Sequence, residues 1–238
     1  MCLIHLSKYT NHYLQSRKKG LLKLNDCRLR LKFAQKQLKE RPEDFWTNHI
    51  AMYLDGTSFV YKSNPHDQAV APRLMAWRKR CEGLDINCTS KGKKTGSGGK
   101  VASFMVGISH GSGVVLCQQY SGRLNGEKFA NMIIKDFPKA LSKCGNNSKL
   151  ILQDGCPVQN SAAALRAFKS IGADIFPIPA RSPDINVIEN FFRMMELELR
   201  EQAINKHITH ESFEEFSARV KETIMNISSN YIDKTIES

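Results

Sequence analysis

A chain of 238 residues, 41% hydrophobic and 24% charged, is long enough to bury one good-sized core and has the composition of an ordinary globular domain. No apolar run reaches the length of a membrane span, the N-terminal apolar residues are broken by His5, Ser7 and Lys8 as no secretory leader is, and seven scattered cysteines without a C-x-x-C pair exclude a zinc ribbon or disulfide framework and suit a reducing, intracellular setting. The formal charge of +12 gathers in two blocks, eleven Lys and Arg against four Asp and Glu over 1–48 and eight against two over 73–100, which points to a polyanion partner.

Residues 1–16 show no clear period and are expected to be irregular or partly helical. Arg17-Lys18-Lys19-Gly20 reads as a basic linker, after which Asn25 or Asp26 is placed to cap a helix over 27–40. Leu29, Phe33 and Leu38 give that helix an apolar stripe, Pro42 ends it, and Phe45 and Trp46 follow as core anchors. A strand over 49–54 runs into Asp55, and 58–62 reads as the returning strand. Residues 63–100 look like an insertion whose tail, SKGKKTGSGGK, is a flexible cationic loop. It lacks the G-x-x-x-x-G-K-[ST] pattern of a nucleotide-binding loop, and its Lys91, Lys93, Lys94 and Lys100 are candidates for phosphate contact.

Paired strands are expected over 101–108 and 114–119 around the turn HGSG. Asn125 caps a helix carrying Phe129, Ile133, Phe137 and Leu141 at helical spacing, with Pro138 kinking or ending it. Gly145-Asn146-Asn147 turns into a short strand, Leu150-Ile151-Leu152, that ends at Asp154. A helix over 161–172 and a strand over 173–177 come next. Ser182-Pro183-Asp184 then opens a long amphipathic helix, with Asp184 as its cap, Glu189 in its second turn, and Ile188, Phe191, Phe192 and Met195 facing inward. From His210 a last amphipathic helix carries Phe213, Phe216, Val220 and Ile224. The order describes an α/β fold: a mixed sheet of three antiparallel strands followed by parallel strands, flanked by helices.

Three acids stand out. Asp55 and Asp154 each close an apolar strand, and Glu189 lies beside the buried stripe of its helix, where an unpaired carboxylate is costly. Folded onto one point they would repel unless a cation sat between them, and oxygen-only ligands favour Mg²⁺ or Mn²⁺. Asp136, Asp174 and Asp184 read as surface or capping acids. The seven histidines make no catalytic pattern, and Cys156 reads as local packing beside Asp154.

Strand-end Asp, strand-end Asp, helix Glu, with thirty-four residues between Asp154 and Glu189 and the phrase PARSPDINVIENFF around the latter, resembles the catalytic domain of the mariner superfamily of DNA transposases. The resemblance runs from about Arg17 to about Gln202, and Lys19 to Ala34 resemble the junction that joins the family's end-binding domain to its catalytic domain. It implies a ribonuclease H-like fold with Asp55, Asp154 and Glu189 as catalytic metal ligands, Asp55 bridging two Mg²⁺ or Mn²⁺ ions and the other two acids holding one each. The implied activity is DNA strand cleavage and strand transfer, on transposon ends and TA target sites, by a nuclear homodimer with no membrane association. Arg17, Lys18 and Lys19 join the loop lysines as expected DNA contacts. The implied organisation is a linker and helix over 1–48, a catalytic domain over 49–202 and a helical tail over 203–238, lacking most of the family's helix-turn-helix region. Two positions depart from the family pattern: Gly56 stands where an acid is usual after the first Asp, and Val106-Gly107 where Trp-Gly is common. Those departures leave open a domesticated DNA-binding derivative; a ribonuclease H-like nuclease that cleaves without joining is a separate alternative.

Overall fold

The structure is a computed structural model that describes residues 12–15, 24–71, 75–78, 99–179 and 182–238. Its elements are β1 (His12–Gln15), α1 (Leu24–Glu40), β2 (Met52–Val60), α2 (Pro65–Val70), β3 (Met75–Arg78), β4 (Val101–Ser109), β5 (Gly113–Tyr120), α3 (Gly126–Leu141), β6 (Leu150–Gln153), α4 (Ala162–Ser170), β7 (Asp174–Pro177), α5 (Ile188–Asn205), α6 (Phe213–Asn226) and α7 (Ser229–Glu237). Five strands form one mixed sheet in the order β5-β4-β2-β6-β7, and β1 pairs with β3 in a separate two-stranded sheet. The central strand β2 is antiparallel to β4 and parallel to β6, and β6 is parallel to β7. This is the mixed α/β sheet that the sequence predicts, with three antiparallel strands leading into parallel ones.

The sheet is covered on both faces because its strands alternate apolar residues with a period of two. Tyr53, Phe104, Val106, Ile108 and Leu152 face a core completed by Ile188, Phe191 and Met195 of α5, Val220 and Ile224 of α6, and Ile232 of α7. Met52, Leu54, Met105, Leu116 and Ile151 face the other core, built with Phe129, Ile133 and Phe137 of α3 and Phe168 of α4. Each such side chain, fully buried, stabilises the fold by about 1.5–3 kcal/mol. The cap expected at α3 is present, Asn125 accepting from the Lys128 N–H, and at α4 Ser161, read from the sequence as helical, is the cap and accepts from the Ala164 N–H.

Several expectations are corrected. Residues 49–62 do not make two strands. β2 runs unbroken through Asp55 and Gly56 and pairs with β4 from Tyr53 to Val60. Gly56 is not among the glycines with positive φ, so it extends the chain instead of turning it. Residues 12–15 form a strand, and the 63–100 stretch contains α2 and β3. Asn25 and Asp26 lie inside the first turn of α1 and not at its cap. The leucine stripe of α1 faces solvent: Leu29, Leu31 and Leu38 are exposed and the helix buries no residue. Its half-buried positions are 26, 30, 33 and 37, a mainly polar face at helical spacing. Finally, the C-terminal stretch forms two helices, because Ser228 caps α7 by accepting the Tyr231 N–H.

Candidate active site

The parallel register of β2 and β6 pairs Met52 with Ile151 and Tyr53 with Leu152. Two residues beyond that last pair stand Asp55, still within β2, and Asp154, just past the end of β6. Period two puts Asp55 on the Tyr53 face and Asp154 on the Leu152 face, which are the same face, the one covered by α5. Beyond Tyr53, β2 pairs only with β4, so the two acids border the crevice at the carboxyl end of β6. Asp154 opens a tight loop: its Oδ1 accepts the Cys156 N–H at 2.9 Å, and Asn160 Nδ2 donates to its carbonyl at 3.0 Å.

Glu189 enters from above the sheet. The turn at 182–185 is closed by Ile185 N–H donating to the Ser182 carbonyl at 3.0 Å, and α5 begins at Ile188 with Val187 as its first flanking residue. Glu189 therefore sits in the first turn of α5, where the helix dipole favours an acid, and not in the second. Asp184 does not cap α5. It makes a two-pronged ion pair with Arg30 of α1 instead.

Asp55 senses the other two acids. Burial, then the Asp154 carboxylate, then Glu189 push its carboxyl up to about 7, against the lowering effect of hydrogen bonds from Gly56 and Gln159. A neighbouring phenol, Tyr120, is raised chiefly by burial and then by Asp55. Among the described residues no three His, Cys, Asp or Glu side chains are closed around a point as a ready metal cage. The donor set nevertheless suits a hard divalent cation: Asp55, raised by burial and then by the charges of Asp154 and Glu189, offers with them oxygen atoms alone as ligands.

Two residues passed over in the sequence complete the surroundings of Asp55. Gln159 Nε2 lies 3.5 Å from Asp55 Oδ1, and Asn186 Nδ2 lies 3.5 Å from Oδ2. The available signal was spacing: Asn186 precedes Glu189 by one helical turn, and Gln159 belongs to the polar loop after Asp154. Of the cations expected to touch DNA, Lys100 is described, exposed before β4 with its Nζ 5.4 Å from the centre of the Phe213 ring. Arg17, Lys18, Lys19, Lys91, Lys93 and Lys94 lie outside the described residues.

No family model matches the sequence, and no curated relative is found. Solved structures do match. The Mos1 transposase paired-end complex with left transposon end superposes with a TM-score of 0.68 at 15% identity, over 94% of this chain and 62% of that one. The catalytic domain of Mos1 mariner transposase superposes with a TM-score of 0.58 at 14% identity, over 92% of this chain and 90% of that one. The Mos1 mariner paired-end complex with Mn gives 0.62 at 14% identity, over 94% and 62%. This chain thus spans about 62% of the length of the transposase in its end complexes and nearly all of the isolated catalytic domain. Its fold is that of the Mos1 mariner transposase catalytic domain, a ribonuclease H-like sheet flanked by helices.

Proposed function

We propose that this chain is a DNA-cleaving and strand-transferring phosphodiester transferase of the transposase type, with Asp55, Asp154 and Glu189 as its catalytic metal ligands. The observation that carries the reading is the half-buried Asp55, raised to about 7 by burial and then by Asp154 and Glu189, at the crevice of a transposase-like sheet. Neighbouring structures of the same fold contain Mn, Mg or a transposon end. Mg²⁺ or Mn²⁺ held by Asp55, Asp154 and Glu189 would neutralise phosphate charge and lower the pKa of the attacking water.

The chain's own part is orientation and charge. Strand β2 fixes Asp55 rigidly, the Asx-type turn fixes Asp154, and the first turn of α5 fixes Glu189. Three carboxylates at one crevice give it the negative potential that gathers divalent cations. Lys100, with Arg17, Lys18, Lys19, Lys91, Lys93 and Lys94, supplies phosphate contacts that set affinity without reading base sequence. A freed 3′-OH held at the same crevice can attack a second phosphodiester, which turns cleavage into joining. Homodimeric action on paired ends, TA targets and a nuclear setting belong to the same reading.

The test is incubation with duplex DNA in Mg²⁺ or Mn²⁺, followed by separate scoring of nicks, joined products and bound complex. Nicking and joining that vanish in Asp154→Asn, while binding persists, are expected. Binding with no nicking under any metal makes the chain a DNA-binding derivative, and nicking without joined products makes it a nuclease. Loss of binding in step with cleavage would show that Asp154 serves the fold and not the chemistry.

A further inference from the structure

Two buried carboxamides stand on Asp55 from different parts of the chain. Gln159, in the loop between β6 and α4, brings Nε2 to 3.5 Å from Oδ1, and Asn186, in the turn before α5, brings Nδ2 to 3.5 Å from Oδ2. The Gly56 N–H also donates to Oδ1, at 2.7 Å. Both carboxamides are closed off from solvent, Gln159 at 3% and Asn186 at 2% exposure. The carbonyl oxygen of each, Gln159 Oε1 and Asn186 Oδ1, has no hydrogen-bond partner among the described residues. Gln153 repeats the pattern one residue before Asp154: its Nε2 donates to the Gln159 carbonyl at 3.3 Å, and its own Oε1 is buried without a partner.

A core does not keep half-satisfied carboxamides for packing, because an apolar side chain of similar size fills the space without the desolvation cost. Two of them on one carboxylate, with Gln153 bonded to the backbone of one, call for a positioning duty. Neutral amides also suit the place electrostatically. A Lys or Arg at either position would orient Asp55 equally well but would cancel the charge that draws a cation.

We infer that Asn186 and Gln159 are positioning residues that clamp the Asp55 carboxylate, one N–H₂ group to each oxygen. The inference rests on the reading of the three acids as a divalent-metal site. Asn186 couples two parts of that site. Its side chain meets Asp55, and its backbone carbonyl accepts the Glu189 N–H at 3.0 Å. The residue that orients one acid therefore sets the position of another. Gln159 does the same for the β6 side through Gln153. Carboxylate ligands are held by such outer partners in metal sites.

Two measurements on the whole chain test this. The first needs no metal: the side-chain N–H₂ resonances of Asn186 and Gln159 are followed by nuclear magnetic resonance in the parent and in Asp55→Asn. Both pairs should move more than any other carboxamide, and resonances that stay in place overturn the clamp. The second is titration with Mn²⁺. Asn186→Ala and Gln159→Ala should each weaken binding by about 10–100-fold, and neither should weaken it further in an Asp55→Asn background. Parent-like affinity in the single variants, or an undiminished loss in the Asp55→Asn background, overturns the positioning role. If the parent binds no Mn²⁺ and the resonances still respond to Asp55, the clamp stands and the metal reading fails.

Discussion

Arg30 and Asp184 are joined across 154 residues of sequence by a two-pronged ion pair, Nη1 at 2.7 Å from Oδ1 with Nη2 on Oδ2. The pair ties α1 to the turn that leads into Glu189. Helix α1 buries no residue of its own, so this fork, the Phe33 ring edge-on to Phe176 at 6.1 Å and the Arg41 guanidinium over Phe45 at 4.5 Å hold it in place. Asp184 is well exposed, and water weakens the pair to about 1 kcal/mol or less. Arg30→Ala should therefore change global stability little but speed amide exchange along α1 several-fold, with the sheet unaffected. Uniform acceleration across α1 and sheet alike would contradict this.

Asp55 gives the metal-free protein a pH dependence of definite sign. Its carboxyl, raised to about 7, keeps a proton in the folded state that an unfolded carboxyl near ~4 has lost. Stability contributed here is full below the unfolded value, falls as pH rises from about 4 to about 7, and is level above. The total is on the order of 4 kcal/mol. In chelator, Asp55→Asn is expected to melt above the parent at pH 8, with the gap closing toward pH 4. Parallel melting curves at every pH would contradict the burial and repulsion described.

Gly107 is demanded by its neighbours. A Cβ there would overlap Met52 Sδ and stand 2.8 Å from Met52 Cγ and 3.1 Å from Leu116 Cβ. Gly107→Ala should cost about 1–3 kcal/mol by urea denaturation. Shortening Met52 to Val in the same chain should recover part of that loss, since the two residues compete for one space. Strict additivity of the two changes would show that the clash is relieved elsewhere.

Helix α6 is tied to the segment that precedes it by a buried charge pair. Arg219 Nη2 lies 2.5 Å from Glu211 Oε1 and Nε lies 3.0 Å from Oε2, with both side chains largely shielded. Tyr61 Oη donates to the Glu211 carbonyl at 2.6 Å, which joins this pair to the end of β2. Arg219→Leu strands the Glu211 carboxylate and should cost about 3–5 kcal/mol in chemical denaturation. A loss below about 1 kcal/mol would mean that Glu211 finds water or another partner.

The strands were legible because they alternate or run apolar between turn residues, as Leu150-Ile151-Leu152 does before Asp154. The cap at Asn125 was legible because its signal is local. Gly56 misled because a glycine after an acid signals a turn, whereas cross-strand pairing with Met105 keeps the chain extended. The stripe of α1 misled because leucine periodicity marks a buried face only when a core lies opposite, and here the body is met through Asp26, Arg30, Phe33 and Gln37. Asp184 misled for a related reason: the cap signal is local, but its partner Arg30 is distant in sequence. Asn186 and Gln159 offered only their spacing from Glu189 and Asp154, and their meaning arises when β2, the β6 loop and α5 are brought together.

The central claim is that Asp55, Asp154 and Glu189 act together on a divalent ion. The most direct measurement is anomalous X-ray scattering at the manganese edge from crystals of this chain grown in Mn²⁺. The expected result is one or two peaks bounded by the three carboxylates, lost in Asp154→Asn. Peaks elsewhere, or no peak at a concentration that supports DNA nicking, would contradict it.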